Sequence, residues 1–160
     1  LDPMITLLAL SAMFNIGLLA SKPEGKEHGT WPAGSAMQVG DAHNKRTEEL
    51  ENEIEVRLRE LLELVADGVE KPDERVLRAL EAEQNDWSHH RDSSCELVGA
   101  TTGAGGAWPS AYAAECKFVL TERRLKGIES CLVVLEKLPP NVRQWNITQC
   151  VGLKDVLPAE

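Results

Sequence analysis

Apolar side chains recur at three- and four-residue steps along three long stretches of this 160-residue chain, which commits most of it to helices that each bury one face. The first stretch, from residue 41 or 43 to 66, puts Leu50, Ile54, Leu58, Leu61, Leu62 and Val65 on one side and turns Glu49, Glu51, Glu53 and Glu55 mostly toward water. Asp67 and Gly68 stop it, glycine being suited to the left-handed conformation after a helical end. A second helix opens at Pro72 or Asp73, where Asp73 and Glu74 meet the positive end of the helix dipole, and runs to about residue 97. Its inward stripe reads Val76, Leu77, Leu80, Gln84, Trp87, Arg91 and Cys95, so a Gln and an Arg face neighbouring helices and need polar partners there. Residues 99–109 (GATTGAGGAWP) are too rich in glycine for a helix and read as a loop. A third helix begins at Pro109 or Ser110 and continues to about residue 135. Its buried face is Tyr112, Cys116, Val119, Leu120, Ile128, Leu132 and Leu135, and Pro139 and Pro140 end it.

With only four Trp, one Tyr and two Phe, the core rests on Leu, Val, Ile and Ala, which suits helix packed on helix. The expected fold is all-α, a small antiparallel bundle of about three main helices with disulfides. Residues 41–138 form the helical domain. Residues 139–160 form an irregular tail tied back through Cys150, and residues 21–40 a flexible Gly-, Pro- and Ser-containing leader. The uncharged run at residues 5–20 ends in small residues before Ser21 and reads as a cleaved export signal within segment 1–20, with a periplasmic or secreted product. An uncleaved membrane anchor is the alternative, although about 16 apolar residues fall short of the roughly 20 that a helical span needs.

Export gives the cysteines meaning. Cys95, Cys116, Cys131 and Cys150 are even in number, and oxidising compartments favour their pairing. Three connectivities are open. Short spacing favours Cys95 with Cys116 and Cys131 with Cys150, each around a helix-to-loop junction, but sequence alone does not choose. A zinc site is disfavoured, because there is no Cys-x-x-Cys pair and His89 and His90 lie at no ligand spacing from a cysteine. No metal is expected.

The 26 acidic residues against 17 Lys and Arg give a net charge of -9, which repels nucleic acid and draws in a partner rich in Lys and Arg. No phosphate loop, nucleophile elbow or His-Glu-x-x-His run occurs, so neither a small-molecule cofactor nor a catalytic residue is expected. His89 and His90 on a helix point roughly 100° apart and cannot serve one centre. The glutamates crowd an exposed helical face where water keeps them ordinary. The chain reads as a binding protein and not an enzyme.

One constellation carries identity: Gln84-x-x-Trp87-x-x-x-Arg91-Asp92-x-x-Cys95, a glycine-rich loop, then Cys116-x-x-x-Leu120-Thr121-x-x-Arg124. In order and separation it resembles the LprI-type lysozyme inhibitors, small exported bacterial domains, over about residues 77–132 and more weakly back to residue 41. Members of that family carry further cysteines at the start of the first helix. Here residues 42–50 have none, and Cys131 and Cys150 lie beyond the usual core. The resemblance implies a protein that binds and blocks a basic cell-wall hydrolase, with c-type lysozyme or another basic envelope protein as partner. The other reading is a structural or interaction module of the cell envelope with no lysozyme contact. Within the motif, Gln84, Trp87, Arg91, Asp92, Thr121 and Arg124 read as architectural. The Arg91 guanidinium lies over Trp87 or reaches a carboxylate, and Arg124 meets Asp92 or a glutamate of the first helix. Trp108 and Tyr112, beside the glycine-rich loop, are the candidates for partner contact, and the bland alternative is that Trp108 caps the core.

Overall fold

The computed structural model describes residues 31–67 and 73–151. Three long helices, α1 (Ala36–Ala66), α2 (Glu74–Thr101) and α3 (Trp108–Glu136), are followed by a single turn, α4 (Pro140–Arg143), and a 3-10 segment, Gln144–Val151. There is no strand among the described residues. The apolar run at 5–20, Gly68 and Pro72 lie outside them.

The bundle runs up, down, up. Along α1 and α3 the neighbours advance together: Gly40 lies against Ala111, the His43 ring sits 5.4 Å from Phe118, and Arg57 Nε lies 3.6 Å from Glu129. These two helices are therefore parallel. Along α2 and α3 the order reverses, with Gly99 against Pro109, Cys95 bonded to Cys116, Arg91 on Thr121 and Gln84 on Arg124. The main apolar core joins α1 to α3, through Leu50, Ile54, Leu61 and Val65 on one side and Leu125, Ile128, Leu132 and Leu135 on the other. Each such side chain contributes about 1.5–3 kcal/mol on leaving water. From α2 only Leu80 belongs to this buried cluster, with Val76 packed on its edge. The remainder of the α2 stripe is held to α3 by other means.

Several element boundaries differ from expectation for identifiable reasons. α1 begins at Ala36, inside the stretch read as leader, because Ser35 caps it: its side chain accepts from the Gln38 N–H at 3.3 Å while Gln38 Oε1 accepts from the Gly34 N–H at 2.6 Å. α2 runs on to Thr101, so Gly99 is helical and not part of the loop. Its missing side chain is a packing requirement, since a Cβ there would lie 2.4 Å from the Pro109 carbonyl oxygen. The connection shrinks to residues 102–107, where Gly103 and Gly106 adopt φ values of 68° and 64° that favour glycine. The tail is not irregular over its described part. The 3-10 segment buries Ile147 and Cys150, and the Arg143 guanidinium donates to the carbonyls of Leu138 and Leu64 and pairs with Asp67 at 3.1 Å, satisfying one helix-end carbonyl of α1 and one in the turn that follows α3.

Candidate functional site

Two places carry the residues singled out in the sequence. The first is the seam between α2 and α3. Gln84, Trp87, Arg91 and Cys95 line one side of α2, and the antiparallel register sets Cys116, Thr121 and Arg124 opposite them in reverse order. Both guanidinium groups stand over the Trp87 ring, with the Arg91 Cζ 5.3 Å and the Arg124 Cζ 5.1 Å from its centroid. That is cation–π range, and the ring's negative face suits two cations excluded from water. Arg91 is buried and fully engaged: it donates to Thr121 Oγ1 at 2.8 Å, to Asp92 Oδ1 at 2.9 Å, and pairs with Glu51 of α1 at 2.6 Å. Thr121 is wholly buried, and its hydroxyl donates in turn to the Lys117 carbonyl at 2.7 Å. Arg124, also buried, donates to Gln84 Oε1 at 3.0 and 3.1 Å, to the Val151 carbonyl at 3.3 Å and to Glu83 through a short ion pair.

The seam thus brings together all six motif residues, and Arg91 reaches both the ring and a carboxylate. One expectation is corrected. Arg124 meets neither Asp92 nor a first-helix glutamate, because the register places it a little over two turns nearer the start of α2, at Glu83 and Gln84. The first-helix carboxylate, Glu51, goes to Arg91 instead. Glu51 and Glu83 were invisible to sequence reasoning, since pairs across helices leave no fixed spacing to read. The buried Arg91, Thr121 and Arg124 each find polar partners within the seam, so the arrangement locks α2 onto α3, with Cys95–Cys116 (Cα–Cα 5.5 Å) continuing the same line.

The second place is the start of α3. Trp108 and Tyr112, one helical turn apart, form a tilted ring pair with centroids 5.8 Å apart. Each is 39% exposed, so Tyr112 does not lie on the buried face as expected and Trp108 does not cap the core. By helical rise Tyr112 stands about 14 Å and Trp108 about 20 Å from Thr121, apart from the seam. Cys131–Cys150 (Cα–Cα 4.9 Å) lies toward the other end, binding the 3-10 segment to α3. His89 and His90 are exposed on α2, and among the described residues no cluster of His, Cys, Asp or Glu is arranged to hold a metal ion. No described helix is long and apolar enough to cross a membrane.

When the chain is compared with known families, the LprI lysozyme inhibitor domain matches residues 32–127, a span that contains α1, α2, the glycine-rich connection and the first two-thirds of α3. The protein belongs to the LprI lysozyme inhibitor family. Comparison with curated proteins and with solved structures gave no match. Within this LprI domain lie all the side chains of the seam and the Trp108–Tyr112 pair. Cys131, Cys150, α4 and the 3-10 segment fall beyond it, so the second disulfide fastens an addition to the LprI core.

Proposed function

We propose that this LprI protein is exported and binds a basic cell-wall hydrolase of the lysozyme type, blocking its cleft. Family membership across residues 32–127 is the observation that carries the reading. The net charge of -9 supports it, since an acidic surface speeds encounter with a cationic enzyme. Two disulfides suit an oxidising compartment, as expected of a protein carried out of the cytosol by the apolar run at residues 5–20. The role requires a surface and no reaction centre. The seam residues hold the fold, and Trp108 and Tyr112 are the aromatic groups offered to a partner.

The test is a titration of the oxidised protein against c-type lysozyme while following the lysis of bacterial cell walls. The expected result is inhibition that weakens as salt rises, because exposed charges are screened over about 8 Å at physiological ionic strength. No inhibition at micromolar protein and low salt would remove the hydrolase as partner, leaving an envelope interaction module. Inhibition indifferent to salt would move the credit from the carboxylates to the apolar contacts.

A further inference from the structure

One end of the bundle is free of charged side chains on all three long helices. Residues 31–40 and 97–114 contain no Asp, Glu, Lys or Arg, in a chain of which 27% is charged. The parallel course of α1 and α3 and the antiparallel course of α2 bring these two segments to the same end, which is made of the start of α1, the finish of α2, the connection 102–107 and the start of α3. Large apolar side chains are exposed there on all three helices and the turn leading into α1: Trp31, Met37, Leu97, Val98, Trp108 and Tyr112, with Leu97 at 65% the most open. The same end is slim. Gly40 lies against the Ala111 backbone, and Gly99 lies against Pro109 and Ala113, so α1 and α2 each approach α3 closely where no bulky side chain separates them.

We infer that this uncharged tip is the surface that enters the partner, and that the partner is a cationic protein with an open cleft. The inference rests on the hydrolase-binding reading and adds the place of contact to it. Entering a cleft removes water from whatever enters, and a tip free of charges loses little by that, whereas the carboxylate-studded sides of α1 and α2 would lose much. Aromatic and aliphatic groups on a rigid support are the side chains that make strong contacts once dry. Charge complementarity supplies the rest. Just behind the tip acidic residues outnumber basic ones: Glu51, Asp92 and Glu96 share Arg91 and Lys117, and Asp41, Glu48, Glu49 and Glu115 stand with Lys45 and Arg46, so this level of the bundle, like the chain with its net charge of -9, favours a basic rim around the cleft that the tip enters. The Cys95–Cys116 disulfide and the Gly99 contact hold α2 to α3 immediately below, so the tip is already ordered before it meets a partner.

The test uses the full oxidised chain and measures its affinity for c-type lysozyme by calorimetry at low salt. The wild type is compared with Leu97→Asp, with the double variant Trp108→Ala/Tyr112→Ala, and with Val133→Asp, an exposed apolar position near the opposite end of α3. All the changed side chains are substantially exposed, and far-ultraviolet circular dichroism checks each fold. The two tip variants are expected to weaken binding by at least about tenfold and Val133→Asp by less than about twofold. Hydrogen exchange on the wild-type complex is expected to slow at residues 31–40 and 97–114. Wild-type binding that survives both tip variants, with protection elsewhere, overturns the tip while leaving the hydrolase reading in place. A wild type that does not bind overturns both. If sedimentation shows a dimer that Leu97→Asp dissociates while lysozyme binding is unchanged, a second copy of the chain covers the tip and the inference falls.

Discussion

Thr121 does the work of two groups with one oxygen. It is fully buried, gives its proton to the Lys117 carbonyl and takes one from Arg91, so the hydroxyl links the α3 backbone to a cation on α2. Thr121→Val keeps the shape and deletes the acceptor, leaving a guanidinium N–H buried without it. The expected loss is about 1–3 kcal/mol in chemical denaturation, whereas Thr121→Ser, which keeps the oxygen, should cost about 1 kcal/mol or less. Equal losses for the two would show that the methyl group and not the hydrogen bond matters here. The stripe from Gln84 to Cys95 was readable from residue spacing alone, because helical period places Trp87 and Arg91 on one side whatever they touch. Which carboxylate each arginine takes was not readable. That choice depends on how far α2 slides along α3, a displacement fixed by the Cys95–Cys116 bond and the Gly99 crossing.

Two glycines in neighbouring helices predict opposite outcomes. At Gly99 a methyl group would meet the Pro109 carbonyl at 2.4 Å, a backbone atom that cannot swing aside, so Gly99→Ala is expected to destabilise by about 1–3 kcal/mol despite alanine's better helix propensity. At Gly127 a methyl group would meet nothing within 4 Å, and Gly127→Ala should stabilise by about 0.5–1 kcal/mol. Thermal melts of the two variants decide it, and a stable Gly99→Ala would contradict the close crossing. In sequence the two look alike, and the glycine-rich context made Gly99 read as loop. The early start of α1 did leave a signal, Ser35 followed three residues later by Gln38, which the surrounding Gly and Pro obscured. The other helix start is sensitive to acid. Arg75, first through its side chain and then through its backbone N–H, holds the Asp73 carboxyl down to about 2 from 3.8. A carboxyl depressed in the folded state stabilises fully above its unfolded value, so the cap is intact above about pH 4 and is lost as pH falls toward about 2. The Arg75 amide resonance should follow that lower midpoint, and a midpoint near 3.8 would mean that the cap does not form in solution.

For the molecule as a whole, the apolar cluster joins α1 to α3, while α2 adds to it Leu80 with Val76 at the edge and is otherwise fastened chiefly by a disulfide, two arginines and the close Gly99 crossing. Each disulfide closes a span of about twenty residues and is expected to contribute about 3 kcal/mol. Cys95→Ala/Cys116→Ala should therefore lower stability by about that amount and speed amide exchange in α2 before α1, whereas uniform loss across the three helices would mean that α2 is held as firmly as its neighbours. Alkylation followed by mass measurement should find no free thiol before reduction and four after it. The parallel pairing of α1 with α3 also bears on the order in which the molecule can assemble. A chain delivered N-terminus first, from a ribosome or through a translocation pore, presents Leu50, Ile54, Leu61 and Val65 long before residues 125–135 arrive to cover them. Meanwhile α1 has only α2 beside it, which offers that stripe little beyond Leu80, so the nascent chain passes through an interval with an uncovered oily helix.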